Sequence, residues 1–155
     1  MNVLREIAHA TGLHGMVGGQ FMDVIASRTS GIDLRTMHAL KTGKLIEAAV
    51  VCGALLCGHG PSDVEPYRTF AAELGVLFQI VDDILDVVGD SRSLGKTAGK
   101  DAAADKLTYA SCYGLERAHE LADEAYERAA DLLERVPGST ESLAAVLDYV
   151  HARES

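Results

Sequence analysis

Four carboxylates and one amide follow a single stripe of a helix that is otherwise apolar. In the run Phe78-Gln-Ile-Val-Asp-Asp-Ile-Leu-Asp-Val-Val-Gly-Asp90, the polar residues recur at helical spacing: Gln79, Asp82, Asp83, Asp86 and Asp90. At about 100° per residue, their side chains fall within an arc of roughly 100°. Because the other faces carry Ile, Leu and Val, we expect a mostly buried helix whose carboxylates face an internal polar cavity. Clustered like charges need cations, and oxygen ligands that leave room for water and phosphate suit Mg²⁺.

A row of acidic residues on a helix is more often a solvated face, and this alternative must be weighed first. A solvated face normally carries Lys or Glu beside the acids, but neither occurs between Val76 and Val88. Ala72 and Gly75 precede the stripe at helical spacing, and such small residues either leave space for a ligand or allow close helix packing. The flanking sequence therefore favours a metal or diphosphate site.

Lysines directly follow the acidic helix. The segment Ser93-Leu-Gly-Lys-Thr-Ala-Gly-Lys-Asp101 places Lys96 and Lys100 on a glycine-bearing loop, and Lys106 comes soon after. Lysines bind phosphates as point charges, so they could approach a Mg²⁺-bound diphosphate from the side opposite the carboxylates. They could also simply neutralise nearby acids. A phosphate-binding P-loop is excluded, because no strand precedes the segment and Asp occupies the position of the first glycine.

Two other helical segments carry polar residues beside glycines. Lys41 and Thr42 lie within a long predicted helix, where a surface role is the simpler interpretation of each taken alone. Gln20 and Asp23 are three residues apart and share a helix face. The three glycines just before them cost helix stability, which suggests close approach by another helix or a ligand.

Composition limits the class of protein. The chain has 155 residues, of which 48% are hydrophobic, and its net charge of −9 argues against nucleic acid as a partner. The longest apolar run, residues 48–56, is far shorter than the roughly 20 residues of a membrane span. We expect a cytoplasmic protein with three reduced core cysteines, Cys52, Cys57 and Cys112.

The elements that must position these residues all read as helices. Asp33 is a predicted N-cap, and Ser62 with Glu65 has the form of a capping box. The predicted helices cover residues 2–10, 16–27, 33–56, 62–89, 101–136 with a break near Tyr113-Gly114, and 140–152. No strand-like alternation persists, so the expected fold is an all-α helical bundle in a single domain, residues 1–155.

Five ordered motifs together resemble the trans-isoprenyl diphosphate synthases, the farnesyl and geranylgeranyl diphosphate synthase family. The matching strings span nearly the whole chain and look closest to the geranylgeranyl type. They are Gly-Gly-Gln-Phe-Met-Asp23, Lys41-Thr-Gly-Lys-Leu-Ile-Glu47, Phe78 to Asp90, Leu94-Gly-Lys-Thr-Ala-Gly-Lys-Asp101 and Asp105-Lys-Leu-Thr-Tyr109.

The resemblance implies an isoprenoid synthase fold and a prenyltransferase reaction. An allylic diphosphate would ionise with the help of Mg²⁺, isopentenyl diphosphate would attack the allylic cation, and a proton would be lost. By this resemblance Asp82, Asp83 and Asp86 are metal ligands, with Asp82 foremost, and the implied diphosphate-binding residues are Lys96 and Lys106. The implied residues around the developing cation are Lys41, Thr42 and Gln79, and the implied supporting pair is Gln20 and Asp23.

The chain departs from the family in length. Family members are usually about twice as long and carry a first aspartate-rich motif, which has no counterpart here. The resemblance thus implies the C-terminal half of such an enzyme, whether a truncation, a proteolytic remnant or one part of a split enzyme. We expect it to be inactive or nearly so alone, and to form a homo-oligomer or associate with a missing N-terminal half.

Three other functions are weighed against this one. A non-catalytic companion subunit of a full-length synthase would have no need to retain Lys41, Gln79, Asp82 and Lys96. A terpene cyclase would offer a second metal motif of another type, which is absent from the sequence. A plain helical interaction module would tolerate the loss of Asp82 and Asp86.

Overall fold

The computed structural model describes residues 2–26, 31–92 and 107–153, although the side chains of residues 90–92 are not among those described. All regular structure in these ranges is helical, so the predicted all-α fold is confirmed. The helices are α1 (Asn2–Thr11), α2 (Met16–Ala26), α3 (Leu34–His38), α4 (Lys44–Leu56), α5 (Glu65–Arg92), α6 (Tyr109–Tyr113), α7 (Leu115–Leu133) and α8 (Glu141–Ala152). That the whole chain is a single domain stays a prediction.

The predicted long helix after Asp33 is present, but it is not α-helical throughout. Asp33 caps α3 by accepting a hydrogen bond from the Thr36 backbone N–H at 2.8 Å. A π-helical segment, Ala39–Gly43, then joins α3 to α4 without a break. Segments of this type widen the helix by one residue per turn and are frequent at functional sites.

The core lies along α5, as expected for a helix that is apolar on most of its circumference. Its fully buried side chains pack mainly against α7, which contributes a stripe of alanines with no exposed surface: Ala118, Ala122, Ala125 and Ala129. Their spacing of three and four residues places them on one helix face. Because alanine side chains are short, this face allows the α7 backbone to lie close to α5.

Two local expectations from the sequence are wrong. The capping box at Ser62 does not form: α5 begins at Glu65, and the Ser62 hydroxyl instead donates to the Asp63 carboxylate at 3.1 Å. That carboxylate also accepts from the Gly60 backbone N–H, so it organises the turn before the helix. Of the three cysteines only Cys52 is buried, while Cys57 and Cys112 are exposed near helix ends.

The helices of residues 2–26, 31–92 and 107–153 differ from membrane spans. None of the helices seen there combines the length and the apolar character needed to span a bilayer.

Candidate functional site

The π-helical segment is held by close backbone contacts with two neighbouring helices. A Cβ atom added to Gly19 of α2 would lie 2.2 Å from the Lys41 backbone nitrogen. A Cβ atom added to Gly75 of α5 would lie 2.9 Å from the Gly43 Cα atom. Both distances are impossible for a real side chain, so glycine is required where α2 and α5 meet this segment. The close approach expected from the glycines of α2 is therefore present at Gly19.

Lys41 is tied to one of its predicted supporting residues. Its Nζ atom lies 2.6 Å from an Asp23 carboxylate oxygen in a half-buried ion pair. Gln20, the other predicted partner, is exposed one turn earlier on α2. The structure thus brings Asp23 to Lys41 and leaves Gln20 outside the pair.

Thr42, Gln79 and Asp83 form a continuous row of hydrogen bonds. The Thr42 hydroxyl donates to Gln79 Oε1 at 2.9 Å, which joins the π-helical segment to α5. One turn along α5, Gln79 Nε2 donates to Asp83 Oδ1 at 2.9 Å. Because Gln79 and Asp83 are both buried, this row orients the amide within the protein interior.

Asp83 also holds the start of α6. Its second carboxylate oxygen accepts from the Tyr109 backbone N–H at 2.8 Å, and the Asp83 side chain has no exposed surface. Thr108 prepares this contact through a capping box with Ser111, each side chain accepting from the other's backbone N–H. Burial raises the pKa of the Tyr109 hydroxyl to about 12, so this ring stays neutral.

His38, which has no recognisable ligand spacing in the sequence, also lies in this interior. Its ring stacks on Tyr109 with centroids 5.8 Å apart, and its Nε2 atom is 3.8 Å from an Asp83 oxygen. The signal available in the sequence was its position four residues before Thr42, which places both on one side of the helix. Spacing alone did not separate it from the other five histidines.

Asp82 and Asp86 have different surroundings from Asp83. Asp82 is half-buried and Asp86 is exposed, so these two carboxylates face an open surface, not the enclosed cavity expected from sequence. Among the described side chains of α5, the last fully buried one is Ile84, and beyond it only Leu85 and Val88 pack partly against the core, so Asp86 lies where the helix leaves the interior. Spaced four apart, the two carboxylates lie on one face of α5.

This pair fits Mg²⁺ better than the full acidic triad does. Mg²⁺ retains several waters and is commonly held by one or two carboxylates together with substrate phosphates. Asp82 and Asp86 could supply those carboxylates, whereas the Asp83 oxygens already accept hydrogen bonds from the protein. Within the described ranges, no three acidic, histidine or cysteine side chains converge as a ready-made metal cage. The metal role of Asp83 stays a prediction.

The predicted lysines lie outside the described residues. Lys96, Lys100 and Lys106 all belong to residues 93–106, and the side chain of Asp90 is likewise not described. Their diphosphate-binding and metal-binding roles therefore stay predictions.

Sequence comparison matches this chain to prenyl diphosphate synthases. A family model described as "Polyprenyl synthetase" matches residues 1–150. The chain is 41% identical over 159 residues to the chloroplastic geranylgeranyl pyrophosphate synthase of Capsicum annuum, covering 100% of this chain and 43% of the relative. It is also 41% identical to the heterodimeric geranylgeranyl pyrophosphate synthase large subunit 1 of Arabidopsis thaliana, covering 97% of this chain and 42% of the relative.

Solved structures support the same relationship. The geranyltransferase of Helicobacter pylori, complexed with magnesium and isoprenyl diphosphate, matches with a TM-score of 0.82 and 27% identity. That match covers 97% of this chain and 52% of the other. The chain thus spans about half the length of the relatives it matches. With the family model, the relatives and the fold in agreement, the chain belongs to the polyprenyl synthetase family.

Proposed function

We propose that this chain forms one wall of a prenyl diphosphate synthase active site, of the geranylgeranyl type, which condenses an allylic diphosphate with isopentenyl diphosphate. The observation that carries this proposal is the hydrogen bond between Thr42 and Gln79, next to Asp82 on the same helix. This hydrogen bond joins Thr42 to Gln79, the residues matched to cation stabilisation, although they are 37 residues apart. Asp82, matched to metal binding, follows Gln79 by three residues on α5.

The acidic residues of α5 would hold the metal. Asp82 and Asp86 fit Mg²⁺ as two carboxylate ligands of an ion that keeps water and phosphate oxygens in its remaining positions. When bound, Mg²⁺ would supply charge neutralisation for the diphosphate leaving group. The predicted contribution of Lys96 and Lys106 is to bind the same diphosphate from the other side.

The residues of the π-helical segment would act on the organic part of the substrate. The Thr42 hydroxyl and the Gln79 carbonyl oxygen are fixed dipoles, and such groups stabilise positive charge as it develops. Lys41 is held by Asp23, so its charge is balanced locally and its position is fixed. This arrangement would orient an allylic carbon beside oxygen dipoles, while Mg²⁺ bound by Asp82 and Asp86 would hold the diphosphate.

Thermal unfolding with Mg²⁺ and inorganic pyrophosphate tests the metal site. We expect the two ligands together to raise the melting temperature of the wild-type protein, and expect neither alone to do so. The variant D82A/D86A should lose this shift and still fold, because neither side chain is buried in the core.

The matched control is E127A/D131A, which removes two exposed carboxylates with the same spacing from α7. It should respond to the ligands as the wild type does. If D82A/D86A retains the full shift, the proposed metal site is wrong.

A companion-subunit function is the second candidate. It is favoured by exposed apolar side chains on α1, on α2 and in the turn between them, which suit a protein partner: Leu4, Ile7, Leu13, Met16, Val17, Phe21 and Val24. A companion subunit would modulate a full-length synthase without chemistry of its own. Changing Gln79 would then leave the activity of the assembled enzyme unaltered, whereas an active-site wall would lose it.

A further inference from the structure

Asp83 lies beside the predicted metal ligands, but its contacts suit a different task. It is fully buried, and its two carboxylate oxygens accept from Gln79 Nε2 and from the Tyr109 backbone N–H, at 2.9 and 2.8 Å. Because the Asp83 side chain has no exposed surface, it could reach a hydrated metal ion only by moving out of the core and breaking these hydrogen bonds. Their loss would leave a buried amide and a buried backbone N–H in need of new acceptors.

Two hydrogen bonds link Asp83 to Thr42 through the Gln79 side chain, and the donor and acceptor of each are fixed. A carboxylate only accepts, so the Gln79 side chain must turn its NH₂ group toward Asp83. The opposite end of the same amide, Oε1, then faces the Thr42 hydroxyl at 2.9 Å and can only accept from it. The single hydroxyl hydrogen of Thr42 is therefore used within the protein.

We infer that Asp83 is a positioning residue that sets the polarity of Thr42. With its hydrogen donated to Gln79, the Thr42 hydroxyl offers only lone pairs to any other neighbour. Lone pairs stabilise a positive charge, whereas an outward O–H hydrogen would oppose it. This inference rests on the proposed function, and it separates the role of Asp83 from those of Asp82 and Asp86.

The substitution D83N reverses this polarity at almost constant size. The Asn carbonyl can still accept from the Tyr109 N–H, so its NH₂ group must face Gln79. Gln79 then turns its Oε1 to Asn, and its NH₂ group donates to Thr42. The Thr42 hydroxyl becomes an acceptor inside the protein and directs its hydrogen elsewhere.

A second substitution should restore the original direction. In D83N/Q79E, the new Glu accepts from the Asn NH₂ group and from the Thr42 hydroxyl, so Thr42 donates inward again. Q79E alone would instead place two carboxylates within hydrogen-bond distance in the core. The two sites are therefore strongly coupled, and melting temperatures measure this coupling even if no ligand binds.

We expect Q79E to lower the melting temperature by about 10 °C or to prevent folding, and D83N to lower it by about 3 °C. The double variant should lie within about 3 °C of the wild type. If the decreases in melting temperature caused by Q79E and D83N simply add, the double variant will be no more stable than Q79E. That result would overturn the hydrogen-bond direction inferred here.

Ligand binding tests the effect on Thr42. The probes are choline and its neutral isostere 3,3-dimethylbutan-1-ol, titrated with Mg²⁺ and inorganic pyrophosphate present. We expect the wild type to prefer choline, D83N to lose about fivefold of that preference, and D83N/Q79E to regain it. The control D148N, an exposed Asp that accepts from Tyr126 on the surface, should keep the preference.

These outcomes separate the inference from the proposed function. If the wild type fails to bind pyrophosphate with Mg²⁺, the proposed function fails, while the melting temperatures still decide the hydrogen-bond direction. If it binds both but shows no preference for choline, or if D83N keeps that preference, the role of Asp83 in setting Thr42 is wrong.

Discussion

Asp82 and Asp83 are neighbours in sequence, yet their side chains have separate partners. Asp83 points into the core toward Tyr109, whereas Asp82 is half-buried at the surface with Asp86. At about 100° per residue, adjacent helical positions already face different directions. A stripe about 100° wide therefore has one side that faces the core and another that faces solvent. Asp83 lies on the core side and Asp82 on the solvent side, so the two carboxylates serve different purposes.

Substitution of Asp33 tests how much one N-cap contributes to the stability of the protein. Hydrogen bonds from the Thr36 hydroxyl and backbone N–H lower the pKa of the Asp33 carboxyl below its ordinary value of 3.8. We expect D33A to lower the free energy of unfolding by about 1 kcal/mol at neutral pH, because α3 loses its N-cap. Chemical denaturation measures this loss.

The pH dependence of this difference follows from the direction of the shift. A lowered folded-state pKa contributes stability above the unfolded-state pKa, and this contribution is lost as the pH falls through the folded-state value. The gap between wild type and D33A should therefore narrow below about pH 4. D33N, which also caps helices, should show little loss at neutral pH; equal losses in D33A and D33N would contradict the capping role.

At the scale of elements, the π-helical segment depends on the two glycines that face it. Gly19 and Gly75 allow α2 and α5 to approach the backbone of residues 39–43. Ion pairs also link α5 to α4, which continues from this segment, and to α1: Arg68 of α5 reaches Glu47 of α4 at 2.6 Å and Glu6 of α1 at 3.0 Å. The site is thus fixed by backbone contact as well as by side chains.

Alanine substitution tests that backbone contact. G19A and G75A should each destabilise the protein by about 1–3 kcal/mol, because the new methyl group forces the helices apart. G53A is the control: Gly53 lies exposed within α4, and an added Cβ meets nothing within 4 Å. It should be neutral or stabilising by up to about 1 kcal/mol.

Denaturant unfolding measures all three variants. If G19A or G75A were as stable as the wild type, the close crossings described here would be wrong. Mg²⁺ and pyrophosphate should also produce a smaller melting shift in G75A, since Gly75 packs on the segment that carries Thr42.

Across the whole molecule, the charged and apolar surfaces have different locations. The exposed apolar side chains concentrate on α1 and α2, while α7 carries many of the acidic residues behind the net charge of −9. Monomeric proteins rarely expose large apolar patches, so we propose that the α1 and α2 face packs against a second copy or a partner chain.

Polar substitutions on α2 test this proposal. Phe21 and Val24 are 64% and 62% exposed, and F21S/V24S should shift the sedimentation profile toward the monomer without loss of helix content. V146S/Y149S, which removes exposed apolar side chains from α8, is the control and should leave the profile unchanged. A wild-type protein that stays monomeric at all concentrations would exclude self-association through this face.

The sequence predicted most of the helices because their apolar residues recur at helical spacing. It could not predict the π-helical segment, since the same residues satisfy either helical pattern and the glycines that pack against the segment, Gly19 and Gly75, are distant in sequence. It also could not separate Asp83 from Asp82, because the donor that reaches Asp83 comes from Tyr109, 26 residues away. The capping box at Ser62 failed for a local reason: the adjacent Asp63 organises the turn instead.

The hydrogen bond from the Tyr109 backbone to Asp83 also makes one amide a reporter of the site. Tyr109 opens α6, where the first N–H groups of a helix have no intrahelical acceptor and normally exchange with solvent quickly. This amide is instead bonded to a buried carboxylate, so its hydrogen exchanges only when α6 separates from α5. A single backbone resonance can therefore follow the opening and closing of this wall as ligands or partner chains are added.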